Sequence, residues 1–231
     1  MDIQNREWEE SYHNRDNFLF YPHEEVIRFV SRHIRKRIGL NEFRDAVCCK
    51  QLPKVLDLGC GIGRHVIYCH EMGLEAYGID LSQYAVRTAV QWAEERGMNE
   101  PESRIVQGDV RKLSWGTAFF DFVLSHGVLD SMYFNVACEA CQEVGRVLKS
   151  RGLFYCDLVA GDDSAHAREY SGEEIVATAH EQGTIQSYFN FSKINGLVGG
   201  LFSVEEAFLV RRENILQGGF SSRYHLVLRR K

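Results

Sequence analysis

Short apolar runs alternate with longer amphipathic stretches along most of this chain, the pattern of strands and helices taking turns. Val55, Leu56 and Leu58, interrupted by Asp57, predict a buried strand that runs into glycines at 59, 61 and 63. A helix is expected from Val66 to Gly73, then a strand from Leu74 to Ile79 that stops at Asp80. The apolar spacing predicts a helix over Tyr84 to Arg96 and a third strand from Arg104 to Val110 that ends in Gly108-Asp109. Phe119 to Ser125 reads as a fourth strand, Ala137 to Leu148 as a helix, and Arg151 to Asp157 as a fifth strand. Toward the end, Tyr188 to Lys193 leads into a helix reaching about Phe202, and Val204 to Arg211 forms another strand. Arg223 to Arg229 alternates through Tyr224, Leu226 and Leu228, which predicts a final antiparallel strand. Ahead of all these, Val26, Ile27, Phe29, Val30, Ile34 and Ile38 mark one face of a helix over 24–38.

The strand-to-turn step at 54–65 carries the chemistry. Glycine in such a turn adopts φ > 0 and lets a ligand approach where a Cβ would block it. In an open α/β sheet this is where a nucleotide-binding crevice forms. Asp80, at the tip of the next strand, stands where an acidic side chain accepts hydrogen bonds from two ribose hydroxyls, and Asp80-Leu81-Ser82 also suits a helix N-cap. A dinucleotide fingerprint from Gly59 and Gly61 requires its last glycine at 64. That position is Arg64, and the glycine falls at 63, which disfavours a nicotinamide oxidoreductase.

The spacing Asp57-x-Gly59-x-Gly61-x-Gly63 resembles motif I of the class I S-adenosylmethionine-dependent methyltransferases. The resemblance covers about residues 54–230 and is strongest over 54–130. It implies an α/β fold with a Rossmann-like, doubly wound sheet of seven strands, mostly parallel with strand seven antiparallel, and helices on both faces. It implies one domain over 1–231, with 1–53 an N-terminal arm and helix acting as a lid and 54–231 the core sheet. S-adenosyl-L-methionine is the cofactor it implies, held by Asp57, Gly59, Cys60, Gly61, Gly63 and Arg64, by Asp80 and Leu81, and by Asp109 and Val110 at the adenine. Backbone groups at Ser125 and His126 fall where the family contacts the methionine moiety. The family's usual Lys-Pro-Gly-Gly before strand five is Lys149-Ser150-Arg151-Gly152 here, a change confined to a turn.

Composition narrows the setting. The 231 residues are 45% hydrophobic and 26% charged, the balance of a soluble globular protein. No apolar run reaches the roughly 18 residues of a membrane span, and Met1 to Glu7 lacks the apolar core of a signal peptide. Seven cysteines, an odd number that includes Cys48-Cys49, fit a reducing cytoplasm better than a disulfide framework. Cys138-x-x-Cys141 lies within a predicted helix without a second ligand pair, so it reads as packing and no metal is expected. A net charge of −5 gives no general attraction for nucleic acid. The cluster Arg28, Arg32, His33, Arg35, Lys36 and Arg37 reads as the solvated face of helix 24–38.

The acceptor side is less determined. His126 and Asp130 follow strand four at the mouth of the crevice, and either is a candidate base for a hydroxyl or amine. Trp8, Tyr12, Phe18, Phe20 and Tyr21 make the N-terminal arm unusually aromatic, which suits either a lid or simple packing on the sheet. Tyr12, Tyr21, Asp157 and Arg223 are candidate substrate contacts. Ser125-His126-Gly127-Val128 does not resemble the Asn-Pro-Pro-Tyr of amide and adenine methylation, and no Pro-Cys nucleophile supports base-flipping chemistry. A small-molecule acceptor is the expected partner, with no nucleic acid or membrane. A protein substrate, or cofactor binding without catalysis, is the alternative.

Overall fold

The computed structural model describes residues 3–15, 17–47, 51–167, 169–178 and 181–231, which leaves Cys48-Cys49 outside the described residues. Helices α1 (Ile3–His13) and α2 (Glu24–His33) precede a small antiparallel hairpin, β1 (Arg35–Arg37) and β2 (Phe43–Asp45). Then come β3 (Lys54–Leu58), α3 (Arg64–Glu71), β4 (Glu75–Asp80), α4 (Gln83–Glu95), the short α5 (Pro101–Arg104) and β5 (Ile105–Gln107). The chain continues through β6 (Phe120–Ser125), α6 (Phe134–Val147) and β7 (Leu148–Val159). A second antiparallel hairpin, β8 (Glu173–Ile175) with β9 (Ile185–Ser187), leads to α7 (Phe191–Val198), β10 (Phe202–Glu213) and β11 (Phe220–Arg230).

Seven strands form the main sheet in the order β10-β11-β7-β6-β3-β4-β5. Pairings among β3, β4, β5, β6 and β7 are parallel, and β11 runs antiparallel to both of its neighbours. This is the mostly parallel sheet expected, with the last strand antiparallel. Successive residues of a strand face opposite sides, so Leu56 and Leu58 pack toward α6 and α7 while Val55 packs toward α2, α3 and α4. Both faces are covered, as a parallel sheet requires. The strand order reverses at β3, whose neighbours are β4 on one side and β6 on the other. A crevice opens there at the carboxyl ends of the strands.

One expected element is corrected. The helix over 24–38 ends at His33, and Arg35, Lys36 and Arg37 form a strand. Tertiary contacts overrule the helical pattern here: Arg35 pairs with Asp45 at 2.5 Å and donates to the Gly73 carbonyl at 2.9 Å. The basic cluster is therefore split, and Arg32 and His33 instead face Glu206. The Lys149-Ser150-Arg151-Gly152 segment lies within β7 rather than in a turn, beside a register shift against β6, and Arg151 there has φ 64, uncommon for a residue with a side chain.

Candidate functional site

A cavity of about 460 Å³ sits at the carboxyl ends of β3, β4 and β6 and is roofed by α1. Its floor is the glycine turn. Gly59 and Gly61 both have positive φ, and a Cβ would stand 2.5 Å from Val128 Cγ2 at the first and 2.5 Å from the Tyr12 hydroxyl at the second. Gly63 caps α3 and lies off the cavity; a Cβ there would sit 3.0 Å from Ala89 Cβ, so this glycine sets the packing of the turn on α4.

The Asp80 carboxylate is buried and splits its two oxygens between elements. Oδ2 accepts the Gly61 amide at 2.7 Å and Oδ1 accepts the Ser82 amide at 2.9 Å. Burial pushes its pKa up to about 6 despite those two donors, with nearby Asp57 adding to the rise. The Leu81 backbone also donates to this carboxylate, which faces the cavity. Asp109, Val110 and Leu81 line the same cavity. Arg111 grips the Asp109 carboxylate, with Nη2 at 2.6 Å, and holds its pKa below the ordinary value.

The arm is tied down by charge and by rings. Glu9 accepts from Ser82 Oγ at 2.6 Å and from the Tyr84 amide at 3.2 Å, adding an acidic cap to the start of α4. Phe18 packs on Tyr84 and Phe20 on Trp92. Trp8 and Tyr12 line the cavity, and burial together with Asp80 raises the Tyr12 phenol well above its ordinary pKa, so it stays protonated.

Four histidines from distant parts of the chain meet beside the cavity. The His126 ring lies 4.0 Å from that of His23 and 5.6 Å from that of His65, and His23 stacks on His225 at 6.0 Å. Arg64 Nη2 is 3.3 Å from His126 Nδ1. His126 Nε2 is 3.3 Å from Asp157 Oδ2, yet the geometry makes no hydrogen bond. Burial drives the His126 pKa down to about 2; Asp157 raises it in part, while His23, His65 and Arg64 lower it further. His126 is therefore a neutral imidazole.

Behind it lies a buried charge network. Asp157 accepts the Gly127 amide at 2.7 Å through Oδ1 and Arg223 Nε at 2.5 Å through Oδ2. The other arm of Arg223 reaches Asp130 Oδ2, which also accepts the Val159 amide at 2.9 Å. Asp130, Asp157 and Arg223 do not line the cavity; they brace the loop that carries His126. This corrects the expectation that Asp130 stands at the mouth of the crevice as a base, because it is sealed in an ion pair. Tyr21 is corrected too: it is 86% exposed and off the cavity. Asp57 and Ser125 are buried below the floor, and His126, Gly127 and Val128 form the wall instead.

Of the residues singled out from sequence, Tyr12, Gly59, Cys60, Gly61, Arg64, Asp80, Leu81, Asp109, Val110 and His126 converge on one cavity. Sequence reasoning missed Glu9 and His65. His65 carried a local signal, standing next to Arg64 in the turn, whereas nothing in the sequence marks His225 as a neighbour of His23.

Comparison with known proteins agrees with this geometry. Residues 56–156 match the family described as methyltransferase domain. Over these residues the chain is similar to methyltransferase domains, as the glycine turn and Asp80 lead one to expect. A sterol 24-C-methyltransferase of Gibberella zeae is 28% identical over 161 residues, 66% of this chain and 37% of that protein. An uncharacterised methyltransferase of Synechocystis is 34% identical over 101 residues, 44% of each chain. The chain thus spans about two-fifths of the length of these curated relatives. Among solved structures, a Burkholderia thailandensis 1,6-didemethyltoxoflavin N1-methyltransferase, bound to its substrate and S-adenosylhomocysteine, has a TM-score of 0.67 at 17% identity. That likeness, over 98% of this chain and 87% of the other, is one of fold. Among the described residues, no helix is long and apolar enough to cross a membrane.

Proposed function

We propose that this protein transfers a methyl group from S-adenosylmethionine to a hydroxyl or amine of a small molecule. The observation that carries this reading is the cavity over the glycine turn, closed by Trp8 and Tyr12 and walled by a neutral His126. Its residues suit the cofactor. Gly59 and Gly61 form a cradle that a Cβ would fill, and the buried Asp80 carboxylate lines the cavity beside them, where ribose hydroxyls can donate to it. Asp109 and Val110 border the adenine end, and Arg64 offers a cation to the methionine carboxylate.

When bound, S-adenosylmethionine would supply an electrophilic methyl group carried on a sulfonium leaving group. In-line displacement asks the protein mainly to hold the acceptor behind the methyl and to keep water out. Trp8 and Tyr12 exclude water as a lid. With a pKa near 2, His126 walls and orients the acceptor rather than taking its proton, which passes to solvent, while Asp157 and Arg223 fix the loop that carries the ring. The free cysteines Cys60, Cys69, Cys138, Cys141 and Cys156 support a single cytoplasmic domain as the setting.

The test is tritium-labelled cofactor incubated with the protein and a lysate separated into metabolite and protein fractions. Label is expected among the metabolites. Label on protein bands would favour the protein-substrate reading, and binding without any transfer would favour a non-catalytic one.

A further inference from the structure

We propose that β10 is a dimerisation edge, along which two copies of this chain pair antiparallel and join their sheets. β10 is the terminal strand of the main sheet, and among the described residues its backbone bonds within the sheet only to β11. A free edge twelve residues long is a template for another strand unless it is covered or broken. Here a register shift between Val204 and Glu206 interrupts only its beginning.

The side chains add a self-complementary pattern. Glu205-Glu206 precedes an apolar segment, Ala207 to Val210, and Arg211-Arg212 follows it. Phe208, Leu209 and Val210 point alternately to the two faces, yet they are 54, 45 and 45% exposed, so neither face buries them. Antiparallel pairing lays this segment on itself and brings each Glu pair beside the Arg pair of the partner, whereas parallel pairing would set like charges together.

Symmetry selects the register. A two-fold axis between antiparallel strands must pass through a residue opposite its own copy, because paired positions alternate in hydrogen-bonding type. Centred on Phe208, it sets Glu205 opposite Arg211 and Glu206 diagonal to Arg212, with no like charges facing. Centred on Leu209, it would oppose Glu205 to Glu213. Glu205 is already oriented by Arg229 at 3.1 Å and Glu206 by Arg32 at 3.1 Å. Arg211 lies over the Phe220 ring, and neither it nor Arg212 has a carboxylate partner among the described residues. The same register carries the hairpin tip, where Ile215 and Leu216 are 91 and 96% exposed, toward the partner's turn around 199–201. The interface would thus cover the largest exposed apolar groups at this end of the fold.

Light scattering on a sizing column tests this with a paired charge swap. Wild type should have twice the 26.6 kDa chain mass. Glu205→Arg/Glu206→Arg and Arg211→Glu/Arg212→Glu should each be monomeric, as should Phe208→Lys, which sets two charges on the axis. An equimolar mixture of the two swapped proteins should regain the dimer mass, because each then meets its opposite at both ends, and this recovery separates lost complementarity from misfolding. A monomeric wild type, a dimer that survives both swaps, or a mixture that stays monomeric overturns the proposal.

Discussion

The Asp80 carboxylate accepts the Gly61 amide at 2.7 Å, tying the tip of one parallel strand to the glycine turn that follows its neighbour. The bond fixes the spacing of two groups that the cofactor must meet together. It also makes the site sensitive to the protonation of one buried acid.

Cofactor affinity should therefore fall in mild acid. Burial raises Asp80 to about 6 in the free protein, and ribose hydroxyls donate to the ionised form. Above that pH the carboxylate is charged and ready. Below it, binding must expel a proton, and affinity should drop by up to about tenfold per pH unit. Calorimetry with S-adenosylhomocysteine between about pH 5 and 8 would show the break, and affinity independent of pH would contradict it.

Gly61→Ala should weaken cofactor binding at least about tenfold, from the strain of φ +53 and from its Cβ meeting the Tyr12 hydroxyl at 2.5 Å. Tyr12→Phe removes that hydroxyl, so the double variant should recover part of the loss. The measurement is a double-mutant cycle on affinity and on melting temperature. Strict additivity would mean that the two groups do not touch.

Arg223→Met should cost stability much more than cofactor affinity. It strands the buried carboxylates of Asp130 and Asp157, a loss of roughly 3–5 kcal/mol for a buried pair. The lower end is expected here, because Arg223 keeps 30% of its side chain exposed. Urea denaturation and calorimetry on the same sample separate the two effects.

Much of this was legible in the sequence, and the boundary is physical. The parallel strands and the glycine turn announce themselves through neighbours a few positions apart, as in Val55 to Gly63. The same holds for Asp80, which simply ends its strand. Asp130 could not be placed that way: its ion pair comes from Arg223, on a strand added near the end of the chain. The histidine group is equally long-range, joining positions 23, 65, 126 and 225. Helix 24–38 had the right apolar period, and a hairpin anchored by Asp45 overrode it.

The histidines set the acid stability. Burial lowers His126 to about 2 and His23 to about 4, and lowers His225 as well. The unfolded chain protonates them below about pH 6.5 while the folded state does not. Stability from these groups is thus present above that pH and declines as pH falls through it, by up to about 1.4 kcal/mol per group and pH unit. His126→Phe should flatten the slope of urea stability against pH between about 7 and 5, and an unchanged slope would mean that His126 titrates normally.

The same substitution at the reacting centre has a different readout. If His126 orients the acceptor, His126→Ala should lower kcat by about tenfold or more with cofactor affinity nearly unchanged. Full turnover would mean that His126 does not position the acceptor.

The most direct measurement is calorimetric titration of the wild-type protein and of Asp80→Ala combined with Gly61→Val with S-adenosylmethionine. Saturable one-to-one binding that is lost in the double variant is the predicted result. No heat with the wild type, or equal affinity in the variant, would contradict the assignment of this cavity to the cofactor.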